Sequence, residues 1–199
     1  MAEAEVDVDP VELEAEITDD DHMRGPRDAP LTLVEYADYQ CEACITGFHA
    51  VEKLMETHGD RLLLVFRHFP LMSYHPMAMP GALAADAAGK QGRFWEMHAN
   101  IFDADGEFDD DDIVRWAHEL GLDVDQFDED RHSEELEQEI RQVRLDGARS
   151  GVNGTPTFFL NNRRIDIPPE HEYLAGYVEH FLTHIGDGDL RGQSQARPS

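Results

Sequence analysis

An α/β fold with an inserted helical domain is predicted by three observations. Residues 31–66 read as a strand, a helix and a second strand. Residues 76–149 read as helical throughout. Residues 157–182 read as two strands and a closing helix. The first unit needs a right-handed crossover into a parallel pair, and the two late strands form a hairpin.

Each element has its own warrant. Leu31-Thr32-Leu33-Val34-Glu35-Tyr36-Ala37 is apolar on both faces, as a central buried strand requires. After the turn at Asp38-Tyr39-Gln40, Phe48, Val51, Leu54 and Met55 recur at helical spacing, and Gly59-Asp60 ends the run. Residues 62–66 form a second buried strand, closed by His68-Phe69-Pro70. The helical block contains an alanine-rich stretch at 77–88 and an aromatic stretch at 92–102. A segment at 109–120 opens on acids that favour a helix N-terminus, and an amphipathic run fills 133–150. Thr157-Phe158-Phe159-Leu160, the tight turn Asn161-Asn162 and the strand from Arg163 to Ile167 make the hairpin. Pro168-Pro169 precedes the last helix. This order is the thioredoxin topology with a helical insertion. It predicts a core from residues 22–75 and 150–185, ordered from near Gly25-Pro26, with a lid over 76–149.

The termini read differently. Residues 1–21 hold ten acids, no lysine or arginine and no aromatic, and predict a solvated, disordered arm. Residues 186–199 read as a loose tail. The net charge of −27 opposes binding to nucleic acid or anionic membranes through a general field. Lys53 and Lys90 are the only lysines. Abundant acid with scarce lysine suits concentrated salt, where screening suppresses self-repulsion, and a halophilic host is expected. The alternative is an ordinary acidic protein with an acidic arm. No stretch approaches the length of a membrane span. The first residues carry neither the basic nor the apolar region of a signal peptide, so a cytoplasmic location is expected.

Cys41-Glu42-Ala43-Cys44 carries the chemistry. A C-x-x-C alone fits half a zinc site, a redox pair or chance. At the end of a strand and the start of a helix it points to thiol–disulfide exchange. At a helix N-terminus, unpaired N–H groups and the positive dipole end favour a Cys41 thiolate. Cys41 is then the nucleophile. Cys44, one turn inward, resolves the mixed disulfide. Glu42 should oppose this by raising the Cys41 pKa. A less activated thiolate predicts a less oxidising pair. Zinc held by the cysteines and two histidines is the weaker reading, because no histidine pair follows at ligand spacing. The aspartate runs at 109–112 and 123–130 lack the calcium-loop pattern and read as solvated helix starts. His68 and His75 are candidates to line a groove, with ordinary loop histidines as the alternative. Phe94, Trp95 and Trp116 read as lid core.

These residues together resemble the DsbA-like branch of the thioredoxin superfamily. The resemblance rests on the segment from Ala29 to Tyr36, Cys41-Glu42-Ala43-Cys44 and Arg67-His68-Phe69-Pro70-Leu71. Phe94-Trp95-Glu96-Met97-His98 and the segment from Gly151 to Phe159 complete it. It spans about residues 22–182 and is greatest to members without a secretion signal, including those fused to sodium/proton antiporters. It implies a disulfide oxidoreductase without a bound cofactor, acting on protein or peptide thiols and disulfides and served by a redox partner. Periplasmic oxidants of the family usually carry Pro and His where this chain has Glu42 and Ala43. The resemblance further implies a cis Thr155–Pro156 bond packed on the cysteines, with the Thr155 backbone open to an extended substrate; the alternative is an ordinary trans proline starting a strand. It also implies that Glu35 is buried beneath the cysteines, able to take the Cys44 proton, rather than facing solvent at an edge. A redox-sensing binding module that does not turn over is the alternative to an enzyme.

Overall fold

A computed structural model describes residues 11–184. Five strands form one mixed sheet in the order β1-β3-β2-β4-β5. β1 (His22–Arg24) runs antiparallel to β3 (Leu62–His68), which lies parallel to β2 (Leu31–Ala37). β4 (Thr157–Leu160) pairs antiparallel with β2, and β5 (Arg163–Ile165) closes the far edge. The helix α1 (Glu42–His58) makes the crossover from β2 to β3. The sheet is thus the predicted thioredoxin arrangement, with β1 added at one edge. The hairpin turn at Asn161 and Asn162 has φ of 46° and 72°, the left-handed pair that matches strand twist.

The alternation of β2 and β3 divides the core. Leu31, Leu33, Leu62 and Leu64 face α1 and the C-terminal helix α7 (His171–His184), meeting Val51, Leu54, Leu174 and Val178. Val34, Tyr36, Leu63 and Val65 face the other way, onto Phe69, Val152 and Phe159. Between β3 and β4 the chain builds α2 (Ala78–Lys90), α3 (Phe94–Asp103), α4 (Asp110–Glu119), α5 (Val124–Arg131) and α6 (Glu134–Arg149). Pro80 sits in the first turn of α2, where its missing N–H removes no helix bond. Asp109 caps α4 reciprocally with Asp112, and Ser133 caps α6 through the Leu136 N–H.

The insertion shares its core with the sheet. Phe66 from β3 and Phe48 from α1 pack with Phe94, Met97, Phe102, Trp116 and Phe127. α6 approaches the opposite face closely at Gly147, where a Cβ would lie 2.6 Å from the Tyr36 ring.

Two readings of the sequence need correction. The ordered region begins well before Gly25, because β1 is a strand and residues 11–21 pack beside the sheet. Glu12 bridges Arg163, the Leu13 N–H donates to the Asn162 carbonyl at 2.8 Å, and Leu13 is buried. Arg67 fixes the rest. Its guanidinium forks onto Asp21 at 2.6 and 2.9 Å and donates to the Glu16 carbonyl at 2.7 Å and the Tyr36 hydroxyl at 2.9 Å. A solvated arm therefore does not describe residues 11–21. Residues 1–10 and the expected tail at 186–199 lie outside the described residues.

Candidate active site

Cys41 stands as the N-cap of α1. β2 delivers the chain to Asp38, one turn reverses it, and the Cys41 carbonyl accepts from the Cys44 and Ile45 N–H groups at 2.9 and 3.0 Å. The Cys41 side chain makes no cap bond and remains partly exposed, whereas Cys44 is buried. Both are free thiols. The Cys41 Sγ lies 3.3 Å from the Thr155 carbonyl oxygen, and the Cys44 Sγ accepts from the Asp38 N–H at 3.4 Å.

These surroundings drive the two thiols apart. The Cys44 thiol is the largest influence on Cys41. Burial opposes it, but Thr155 and the N–H groups of Cys44 and Ala43 add to it, and the Cys41 pKa falls from 9.0 to about 5. The Thr155 hydroxyl is buried with no hydrogen-bond partner among the described residues, so it is available to donate to a thiolate. Burial and the neighbouring Cys41 push the Cys44 thiol well up. Glu42 is not among the principal influences on Cys41. Its side chain is exposed, where water and salt screen it, while the sulfur meets donors directly. A stabilised thiolate favours the reduced form, and redox titration against glutathione tests the expectation of a pair less oxidising than the periplasmic oxidants.

The opposite wall is Gly154-Thr155-Pro156, with the Thr155–Pro156 bond cis. Gly47, one turn beyond Cys44, has no side chain to keep this wall away. A Cβ there would lie 3.4 Å from Phe158, 3.5 Å from the Glu35 Oε1 and 3.6 Å from the Pro156 Cγ. Glu35 is only 3 % exposed, so it occupies the buried position under α1 and not a solvent-facing edge. Its Oε1 has no hydrogen-bond partner among the described residues, and burial first, then the charge of Glu52, raises its pKa from 4.5 to about 8. Near neutral pH this is an acid that still holds its proton and titrates close to the working range.

The sequence reading missed Asp38. Its carboxylate is fully buried. One oxygen accepts the Gln40 N–H at 2.8 Å; the other accepts the Leu71 N–H at 2.7 Å and meets the His75 Nδ1 at 2.9 Å. With its own N–H on Cys44, Asp38 joins the cysteine turn to the loop after β3. Gln40 continues the link, holding the Met77 N–H and the Gly106 carbonyl. An aspartate just before a tight turn is a signal for a side chain that caps the turn, and that signal was available.

The thioredoxin family model matches residues 17–180. The chain belongs to the thioredoxin family. Its fold is of the DsbA-like kind. A thioredoxin-like oxidoreductase from Silicibacter pomeroyi superposes with a TM-score of 0.71 at 26 % identity, covering 82 % of this chain and 92 % of that one. Wolbachia pipientis alpha-DsbA1 gives a TM-score of 0.72 at 19 % identity, over 86 % of this chain and 95 % of its own. Among curated sequences, "Na(+)/H(+) antiporter NhaA 1" of Mycolicibacterium vanbaalenii is 41 % identical over 148 residues, 73 % of this chain. "Na(+)/H(+) antiporter NhaA 3" of Salinispora tropica is 41 % identical over 184 residues, 90 % of this chain. The chain spans 24 % and 27 % of these two relatives' lengths.

In this thioredoxin-family chain, Cys41, Cys44, Glu35, Thr155 and Pro156 come together, and Glu42 stands at the exposed rim beside them. The two histidines considered for the groove part company. His75 is held by Asp38, while His68 is 4 % exposed at the end of β3 and meets Asp86 of α2. Phe94 and Trp116 are buried in the insertion core as expected, and Trp95 packs at its edge. The zinc reading does not assemble at the cysteines. Among the described residues, His22, His68 and Asp86 are the one group of three potential ligands close enough to share an ion. No described helix is long and apolar enough to cross a membrane.

Proposed function

We propose that this chain is a thiol–disulfide oxidoreductase acting on protein or peptide substrates. The observation that carries the reading is the opposed pair of thiols, one partly exposed with its pKa lowered to about 5, the other buried and raised. In the reducing direction the Cys41 thiolate attacks one sulfur of a substrate disulfide. A mixed disulfide forms and the other substrate sulfur leaves as a thiolate. Cys44 then loses its proton and attacks the Cys41 sulfur. The Cys41–Cys44 disulfide forms, and the substrate departs with both electrons. Oxidation of a substrate dithiol runs the same steps backwards. Glu35 serves as the proton acceptor for Cys44 through its ionised fraction, which is the minority near neutral pH and grows as pH rises toward 8. Thr155 and Pro156 offer an extended substrate a wall, and Glu42 meets it at the rim. Repeated reduction of insulin by catalytic amounts of the chain, with a dithiol as electron source, tests the proposal. A single stoichiometric reaction would refute turnover.

A second reading is favoured by the relatives. The two curated relatives reported above carry the names of sodium/proton antiporters and are about three times as long as this chain. The chain would then be a redox module of a larger transporter, with the Cys41–Cys44 state altering contacts to the rest. Coexpression with the membrane part and a redox-dependent change in ion exchange would support it. Exchange insensitive to Cys41→Ser would remove it.

A further inference from the structure

We propose that His22, His68 and Asp86 form a binding site for a divalent first-row metal ion, with zinc the representative ion. The site is separate from the cysteines and does not rest on the redox reading. Its ligands come from three elements: His22 from β1, His68 from the end of β3 and Asp86 from α2. They stand 46 and 18 positions apart in the chain, so no local motif announces them. The fold brings both Nε2 atoms onto one carboxylate oxygen, at 2.7 and 2.8 Å. The ligand atoms all lie within 4.8 Å of one another.

Two imidazoles and one carboxylate are the donor set such ions prefer, with metal–ligand distances of about 2.0–2.2 Å. Tetrahedral ligands at that distance stand about 3.3 Å apart. The Nε2 to Oδ1 contacts need to open by only about half an ångström to admit an ion. Each neutral ring carries its proton on Nε2 while it donates to Asp86; on binding, that proton moves to Nδ1, and neutral rings release none.

The rings are already held. His22 stacks on Phe94 with centroids 3.5 Å apart and planes 8° from parallel. His68 meets the edges of Phe66 and Phe94. Asp86 is nearly buried and turned toward both rings, so little ordering remains to be done on binding.

The site also has room for a further ligand. A cavity of about 570 Å³ opens on all three residues and is bordered by Glu139 of α6. Two cations border it as well, and both are engaged: Arg67 with Asp21, and Lys90 with Asp130 at 3.1 Å. Three protein ligands and an open position leave space for water or an external donor. The chain's charge of −27 raises the local concentration of divalent cations. An ion here would clamp the N-terminal strand and the insertion onto β3.

The test removes the competing thiols first. The full chain with Cys41→Ser and Cys44→Ser is stripped with chelator and titrated with zinc chloride, then with cobalt chloride. One equivalent bound, a raised melting temperature and a cobalt spectrum without sulfur charge transfer are expected. His22→Gln, at the more exposed ligand and checked by circular dichroism, should weaken zinc by more than about tenfold. No stoichiometric binding, or undiminished binding to a folded His22→Gln variant, overturns the site. If that variant does not fold, zinc protection of histidines against carbethoxylation decides with no change to the ligands. Protection at His22, the more exposed ligand, supports the site; protection confined to histidines other than His22 overturns it.

Discussion

Glu35→Gln should stabilise the reduced protein at neutral pH while impairing its proposed chemistry. In the folded chain this carboxyl titrates at about 8, against an ordinary value of 4.5. Below 4.5 it is protonated in both states and costs nothing. As pH rises above 4.5 the unfolded chain ionises Glu35 while the folded chain keeps the proton. Each pH unit in that window removes about 1.4 kcal/mol of stability, and the loss levels off above 8. At pH 7 the accumulated cost is about 3 kcal/mol. Glutamine has the shape of the neutral acid and cannot ionise. The variant should therefore match the wild type near pH 4 and exceed it by up to about 3 kcal/mol at pH 7, or roughly 6–12 °C in Tm for a chain of this size. Urea unfolding of both reduced proteins between pH 4 and 8.5 measures the difference, which cancels every other titrating group. Coincident curves across that range would refute the burial argument, as would a variant less stable at pH 7. The kinetic counterpart is slower resolution of the mixed disulfide, because the proton acceptor for Cys44 is gone. Unchanged resolution removes Glu35 from the mechanism.

Other predictions concern the thiols, the N-terminal segment and the charge. Iodoacetamide alkylation of Cys41 should follow a midpoint near pH 5, and Thr155→Val should move it upward by removing a donor to the thiolate; a wild-type midpoint near 9 contradicts the site geometry. Arg67→Ala strands Asp21 without its partner and should cost about 3–5 kcal/mol in urea unfolding. It should also open residues 11–21 to limited proteolysis, and a loss under about 1 kcal/mol would show the ion pair to be solvated. A halophilic origin predicts a melting temperature that climbs with KCl; greatest stability at low salt opposes it.

Much of the site was legible because its signals are local. A C-x-x-C between an apolar run and a helical periodicity places Cys41 at a helix start. An acid alone within an apolar strand, as Glu35 is, invites a reason for its burial. The features that escaped depend on partners far along the chain. β1 is three residues, His-Met-Arg, with no alternation to read, and it exists because β3 offers an open edge. Residues 11–21 look solvated by composition, yet Leu13 finds the far edge of the sheet and Asp21 finds Arg67. The helix start read at 123–130 does open α5, whose one buried apolar anchor is Phe127. Glu42 marks a different limit. Adjacency to Cys41 in sequence gives proximity but no direction, and its side chain faces water. His68, a candidate to line the groove, gives no sequence signal of its contact with Asp86, which also holds His22, because the three converge only in the fold.

The division of labour between the two cysteines is the central claim, and trapping the mixed disulfide tests it most directly. The reduced Cys44→Ser chain is mixed with a peptide bearing one disulfide, and the products are mapped by mass spectrometry. The account predicts a stable adduct through Cys41, none with Cys41→Ser, and complete release of reduced peptide by the wild type. An adduct formed through Cys44 in the Cys41→Ser chain, or no adduct in either variant, contradicts it.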